Sequence, residues 1–191
     1  ICAVRETNAR GRTLQSVSDA EDALWRRVRA GDESALGDVV DLHQGRVFRH
    51  AFRLLRDHAD AKDAVAVAFF ELWRKRSSVR LVDGSPLPWL LNTVAHCARN
   101  LERSGRRYRA LLDRAPVAEP VSPHPDDSEV LAAVTKLPER EQAVVVLSVM
   151  EGYSEREVAQ ALGIPAGTVK SRLSRAKAKL RGALAQEGAR A

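Results

Sequence analysis

The strongest constraint on the fold of this chain lies in residues 152–180, GYSEREVAQALGIPAGTVKSRLSRAKAKL. Ser154 and Glu157 form a capping-box pattern, in which a hydroxyl and a carboxylate bond the first free amides of a helix. Gly163 suits the left-handed turn that ends a helix, and Pro165 fits the first turn of the next helix. Two short helices joined by a tight turn predict a helix-turn-helix motif.

The second helix of this motif has an apolar side and a basic side. Apolar residues at helical spacing form one stripe, which consists of Val169, Leu173, Ala176 and Leu180. The other side, which we name the basic face, is short, polar and cationic and consists of Thr168, Lys170, Ser171, Arg172, Ser174, Arg175 and Lys177. No acid interrupts residues 170–181, so these like charges repel unless a polyanion neutralises them. The pattern indicates contact with DNA, and the alternative is a helical hairpin whose basic face is solvated.

The rest of the chain repeats helical periodicity and has no strand-like alternation, so the predicted fold class is all-α. We expect helices at 18–31, 32–56, 59–76, 86 to beyond 101, and 128–136, followed by one that contains Val144, Val145, Leu147 and Val149. Ser18 and Glu21 form a second capping-box pattern at the start of the first of these helices. For the helix at 32–56 the predicted buried set is Leu36, Val39, Val40, Val47, Phe48, Phe52 and Leu55.

The helix predicted at 59–76 has a core side and a second side that the core does not explain. Its core side consists of Val65, Ala68, Phe69 and Leu72. The second side, which we name the outer face, mixes charges with two apolar residues and consists of Asp60, Asp63, Val67, Phe70, Glu71 and Arg74. Such a face either packs on another helix of the domain or contacts a partner protein. The residues alone favour neither interpretation.

The helix that begins near residue 86 separates its faces clearly. Its apolar side consists of Leu87, Leu91, Val94, Ala98 and Leu101, and its polar face of Trp89, Asn92, His96, Asn100 and Arg103, with Arg99 at the margin. A turn of Asp83, Gly84 and Ser85 precedes it. Rings stack on bases, amides bond base edges and guanidiniums neutralise phosphates, which suits single-stranded nucleic acid. The alternative is a solvated face with a half-buried tryptophan.

Residues 113–127 contain four prolines and several acids, which predicts an extended linker. The expected organisation is an arm at 1–17, a helical domain at 18–112, the linker, and a second helical domain at 128–187. The net charge of +6 and a pI of about 9.8 favour nucleic acid as a partner. No catalytic arrangement, metal-ligand spacing or cofactor motif is present. No apolar run reaches the ~20 residues of a membrane span, and the two distant cysteines suggest a reducing cytoplasm.

Three segments together resemble bacterial RNA polymerase sigma factors of the sigma-70 family, in the extracytoplasmic-function (ECF) group. DHADAKDAVAVAFFELWRKR resembles the core-binding helix of sigma region 2, and SPLPWLLNTVAHCARN resembles its promoter-melting helix. LPEREQAVVVLSVMEGYSEREVAQALGIPAGTVKSRLSRAKAKLRGAL is similar to region 4. The resemblance covers about residues 20–112 and 128–186.

The resemblance implies a role for each face. The outer face would bind core RNA polymerase, and the polar face with the turn at 83–85 would capture the melted −10 element as single-stranded DNA. The basic face would bind the duplex −35 element in the major groove. Family members are usually held inactive by an anti-sigma factor and act in the bacterial cytoplasm without membrane insertion, and the same is expected here.

The chain departs from the family pattern at three places. Lys62 stands where the family usually has Glu, Ala66 and Val67 replace a Gln-Glu pair, and His96 stands where many members have Asn. The core contact is therefore expected to be less polar, and the identity of the captured base is open. Rival hypotheses are a stand-alone transcriptional regulator that binds duplex DNA without polymerase, a helical enzyme, and an adaptor that binds only protein.

Overall fold

The computed structural model describes residues 14–112 and 125–188. Within these ranges the regular structure is helical apart from a single bridge between Val82 and Ser85. The helices are α1 (Leu14–Arg29), α2 (Glu33–Leu55), α3 (His58–Arg74), α4 (Leu87–Leu112), α5 (Pro125–Lys136), α6 (Glu139–Val145), α7 (Glu155–Leu162) and α8 (Ala166–Gly188). A π-helical turn, Val146–Met150, continues α6. The predicted all-α class is confirmed.

Helices α1 to α4 form one bundle in which α2 packs on α1, α3 and α4. Its core consists mainly of aliphatic side chains around one tryptophan, with Trp25, Val28, Val39, Val47, Leu72, Leu90, Leu91 and Val94 all buried. Asp32 caps α2 and Asp57 caps α3, because each carboxylate accepts a backbone amide of the first turn. These caps fix where α2 and α3 begin.

Helices α5 to α8 form a second cluster, and its turn follows the sequence prediction closely. The Ser154 amide donates to Glu157 Oε2 at 2.7 Å and the Glu157 amide donates to Ser154 Oγ at 3.3 Å, which completes the capping box. Gly163 ends α7 with φ of 63°, a left-handed conformation that side chains with a Cβ rarely adopt. The Pro165 carbonyl accepts the amides of Thr168 and Val169, so Pro165 directly precedes the first turn of α8.

Two predicted helix starts are wrong. Helix α1 already begins at Leu14, so Ser18 lies inside it and does not cap it; Glu21 instead contacts His43 of α2. Helix α5 begins at Pro125 and not at residue 128, because proline is tolerated in a first helical turn. Residues 1–13 of the predicted arm and 113–124 of the predicted linker lie outside the described residues.

Two predicted core residues, Phe52 and Leu101, are exposed, and so is Val149, which the sequence predicts only to lie in a helix. Phe52 is 45% exposed because the buried stripe of α2 runs through Val39, His43, Val47 and His50 on another side of the helix. The buried stripe of α4 ends at Ala98, and the next apolar residue, Leu101, is 41% exposed. Val149 is 60% exposed because the π-helical turn changes the angular spacing of the side chains after α6.

Candidate nucleic-acid and protein interfaces

The basic face lies along the first half of α8, opposite the buried Val169, Leu173 and Ala176. Lys170, Ser171, Ser174, Arg175 and Lys177 are exposed, whereas Thr168 and Arg172 are half-buried. The Ser171 hydroxyl donates to the Thr168 carbonyl at 3.1 Å, which leaves its oxygen lone pairs outward. Most of the face is therefore available to an external phosphate or base edge, but Arg172 is turned toward the rest of the protein.

The polar face of α4 is held by a buried stripe that includes Leu90, Leu91 and Val94. Trp89, Asn92 and Arg99 are half-buried, whereas His96, Asn100 and Arg103 are exposed. The structure thus brings together the six side chains that the sequence places on or beside this face. A ring, two amides, an imidazole and two guanidiniums in one row match the chemistry required to hold unstacked bases and their phosphates.

A tight turn precedes α4 and fixes the polar face at its N-terminal end. Val82 and Ser85 exchange two backbone hydrogen bonds of 3.1 and 3.0 Å, and between them Asp83 and Gly84 have positive φ values of 50° and 78°. Aspartate and glycine are the residues that such a turn favours. Ser85 Oγ then accepts the Leu87 amide at 3.2 Å and so begins α4, as its sequence position predicts.

Glu21 anchors this turn from the opposite side. Its carboxylate lies 2.7 Å from His43 Nε2, and the side chain of Ser85 also bonds to it. Burial by itself would raise the pKa of Glu21, but hydrogen bonds from His43 and Ser85 and the charge of His43 outweigh it, so the pKa is lowered. Helices α1 and α2 and the turn are therefore tied together at one ionised carboxylate.

The outer face of α3 is exposed at its apolar centre. Phe70 is 65% and Val67 is 47% exposed, and the charged residues around them are Asp60, Asp63 and Arg74. Glu71 is half-buried and accepts Arg74 at 2.8 Å and Lys75 at 3.0 Å; the Arg74 hydrogen bond is the largest cause of its lowered pKa. Among the described residues no other helix covers Phe70. Packing on another helix is therefore not seen at Phe70 within the described residues, and contact with a partner protein stays a prediction.

A cavity of about 590 Å³ lies where the faces converge. Its walls come from all three faces, from α6 and from the end of α7, and consist of Val67, Glu71, Lys75, Trp89, Asn92, Thr93, His96, Cys97, Asn100, Glu139, Arg140, Gln142, Ala143, Leu162 and Arg172. Glu139 at the start of α6 places a carboxylate oxygen 3.4 Å from His96 Nδ1 and 4.0 Å from Arg99. The half-buried Arg172 of the basic face thus lies at the same cavity as the polar face.

A second set of contacts joins the two helical clusters at α2. The Glu151 side chain is only 6% exposed and contacts Arg53 at 2.6 Å, His50 at 2.7 Å and Arg46 at 3.3 Å. Burial by itself would raise the pKa of Glu151, but the hydrogen bond and charge of His50 and the charge of Arg53 outweigh it, so the pKa is lowered. A second cavity lies beside these contacts, and Arg49 lines it together with Arg46, His50, Arg53 and Glu151.

The turn of the helix-turn-helix motif also contacts the N-terminal bundle. Gln160 Nε2 donates to the Leu81 carbonyl at 2.9 Å, next to the turn that precedes α4. The Arg80 guanidinium packs on Gly163 so closely that a Cβ at this position would overlap it. Sequence reasoning missed Glu139, Glu151 and Gln160 as contacts, because partners 40 or more positions apart produce no local or periodic signal.

The described residues hold no cluster of three or more histidine, cysteine or carboxylate side chains that could bind a metal ion. Nor does any helix in those ranges combine the length and apolar character that a membrane crossing requires.

Comparisons with known proteins show which family the chain belongs to. Residues 39–108 match the family described as Sigma-70 region 2, and residues 127–180 match Sigma-70, region 4. The chain is 33% identical to the RNA polymerase sigma factor CarQ of Myxococcus xanthus, over 81% of this chain and 92% of that protein. It is 35% identical to the ECF RNA polymerase sigma factor SigM of Mycobacterium tuberculosis, over 85% of this chain and 83% of that protein.

The fold agrees as well. The structure of CnrH in complex with the cytosolic domain of CnrY matches with a TM-score of 0.57 and 24% identity, over 87% of this chain and 98% of that chain. The chain belongs to the sigma-70 family of DNA-binding transcription initiation factors, in its ECF group. It is an alternative sigma factor and not a stand-alone regulator, because regions 2 and 4 are both present and in that order.

Proposed function

We propose that this sigma factor recognises promoter DNA with two of the three faces described above and binds core RNA polymerase with the third. Residues 18–112 act as region 2, residues 128–187 as region 4 and residues 113–127 as the linker between them. The observation that carries the proposal is the presence on one chain of two nucleic-acid faces with different chemistry. The face on α4 has a tryptophan and amides suited to unpaired bases. The face on α8 is suited to a duplex groove.

The basic face of α8 is proposed to bind the duplex −35 element. In a helix-turn-helix motif the second helix enters the major groove. Exposed Arg175, Lys170 and Ser174 lie on the side of α8 that would face the bases, and an arginine can bind guanine O6 and N7 together. Lys177 lies further along the same side of α8 and is proposed to contact the phosphates of the DNA backbone.

The polar face of α4 and the turn at 83–85 are proposed to hold the non-template strand of the −10 element. The left-handed Asp83 and Gly84 present a short, fixed backbone edge beside the start of α4. His96 and Asn100 are exposed along the helix from there, which gives a path for successive bases. Because an imidazole and a carboxamide hold their polar atoms in different geometries, His96 in place of the family's usual Asn is expected to change which base is preferred.

The outer face of α3 is proposed to bind core RNA polymerase. Phe70 and Val67 form an apolar centre ringed by charges, the usual anatomy of a protein interface. The chain is then not itself an enzyme, because the polymerase supplies the chemistry, and it acts in the bacterial cytoplasm where that polymerase is found. An anti-sigma partner is proposed from the family resemblance.

One experiment tests the proposal. Purified chain is added to core polymerase with a library of promoter fragments, and specific transcripts are mapped. The proposed division of roles is supported if the wild type initiates at specific promoters, Phe70→Ala fails to bind core polymerase and Arg175→Ala binds core polymerase but not the promoter. Duplex DNA binding with no core binding and no transcripts would refute it.

A further inference from the structure

We propose that the free chain adopts a closed state in which region 4 (α5–α8) covers the α4 polar face, and that Glu151 is the latch of this state. The inference rests on the proposed function of that face, although the closed state itself is argued from contacts alone. Three separate contacts across the two regions support it. The first two engage groups that promoter binding would need or their neighbours, and the third joins Glu151 to α2.

The first contact places an acid where a phosphate would bind. Glu139 lies within reach of both His96 and Arg99, the two cationic or potentially cationic groups at the middle of the polar face. A DNA strand along α4 would bring its own negative charge to this position. Like charges in close approach repel, so the strand and Glu139 cannot both occupy it at low cost. The Glu139 carboxylate must therefore leave this position before the strand can bind in full.

The second contact involves the −35 helix. Arg172 is half-buried at the cavity that the polar face also lines, while its neighbours Ser171 and Lys170 are exposed. A duplex that uses Arg172 must draw its side chain out of this cavity. The turn before α8 is held as well, because Gln160 bonds the Leu81 carbonyl and Arg80 packs on Gly163. Both nucleic-acid faces are thus partly covered by the same closure.

The third contact, at Glu151, has the geometry of a latch. Its carboxylate, buried at 6% exposure, meets three cationic or potentially cationic side chains that all come from α2, whereas Arg46 and Arg53 themselves are nearly half exposed. Closure removes water from the carboxylate, and these partners replace that water. Opening hydrates all of these charged groups again, so the net difference is small compared with the individual interactions. Such a contact biases an equilibrium and does not lock it.

Cys97 provides a direct measure of opening. Its thiol is half-buried at the cavity, and burial, followed by the charge of Glu71, raises its pKa. When Cys2 is replaced by serine, Cys97 is the remaining thiol of a chain with two cysteines. The rate at which Ellman's reagent labels it then reports exposure of the cavity, and the measurement requires neither DNA nor polymerase.

The test compares Glu151→Gln with Glu155→Gln in this background. Both changes remove one negative charge, but Glu155 is an exposed residue of α7. We expect labelling about fivefold faster or more with Glu151→Gln, the lower end of usual coupling between sites, and an unchanged rate with Glu155→Gln. Arg53→Gln approaches the same contact from α2 and should also accelerate labelling. The variant that carries both Glu151→Gln and Arg53→Gln should be labelled only slightly faster than the faster single variant, because the two changes remove the same interaction.

Masking is measured separately, with a fluorescent pool of random single-stranded oligonucleotides. If closure covers the polar face, the apparent dissociation constant should fall by the same factor as the labelling rate rises. Circular dichroism establishes whether each variant is folded. If Glu151→Gln does not fold, Arg53→Gln takes its place in the test. Unchanged labelling in both variants would overturn the latch, and faster labelling without tighter binding would overturn the masking. Failure of the promoter assignments would instead leave the labelling difference intact.

Discussion

Replacing Phe70 with alanine should weaken core polymerase binding strongly and leave the fold nearly unchanged. Phe70 is 65% exposed in the free protein. A phenylalanine side chain offers ~200 Å² for burial, so an interface could cover about 130 Å² more of it. At ~25 cal/mol per Å² this corresponds to about 3 kcal/mol, or a dissociation constant roughly 100-fold higher. The free energy of unfolding should change by ~0.5 kcal/mol or less, as at other exposed positions.

The matched control for this prediction is Phe52→Ala. Phe52 is the same residue type in the same bundle and is 45% exposed, but it lies on α2, and its ring contacts Phe48 and His58, which do not belong to the outer face. Affinity for core polymerase is measured by anisotropy of the labelled sigma factor, and stability by urea unfolding. If Phe70→Ala binds within twofold of the wild type, or if Phe52→Ala weakens binding equally, the assignment of the outer face is wrong.

Three further predictions follow from individual side chains. Arg175→Ala should weaken binding of the duplex −35 element by ~1–3 kcal/mol, measured by anisotropy with the promoter fragment. Arg181→Ala on the same helix should weaken this binding less. Affinity for core polymerase should be unchanged in both variants. Ser154→Ala removes the cap of α7 and should cost ~1 kcal/mol of unfolding free energy, whereas exposed Ser174→Ala should not. Because the pKa of Glu21 is lowered on folding, its contribution to stability is present above the ordinary carboxyl value of 4.5 and is lost as pH falls through the folded value. The free energy of unfolding, measured with urea at successive pH values, should therefore fall less steeply below pH 4.5 in Glu21→Gln than in the wild type.

The features that the sequence predicts well are those decided within a few residues. The capping box of Ser154 and Glu157 and the left-handed Gly163 both occur as expected, because neighbouring atoms satisfy them. The same pattern at Ser18 and Glu21 fails. Glu21 has a partner in His43, 22 positions away, and the helix continues through Ser18 toward its N-terminus. A local pattern therefore predicts a cap only where no tertiary partner competes for the carboxylate.

The candidate faces were predictable because they depend on which side of a helix is apolar. Trp89, His96 and Asn100 lie together on α4 once Leu91 and Val94 are buried. The contacts between regions were not predictable in this way. His50 and Glu151 are 101 positions apart, and an isolated histidine in a helical pattern gives no indication of its partner. Burial of these polar groups depends on how the two regions pack, which periodicity within either region does not specify.

This difference bears on how the sigma factor would be activated. The sequence indicates three faces, but the structure adds that Glu139 and Arg172 place two of them next to the opposite region, while Glu151 joins the two regions at α2. If closure opposes binding at both nucleic-acid faces, a ligand that favours the open state at one face also lowers the cost of opening for the other. Coupling between binding sites is reciprocal, so −10 and −35 binding should each strengthen the other even without direct contact. The closed state would then make the free protein a weaker DNA binder than either face alone, and specificity would depend on engaging both.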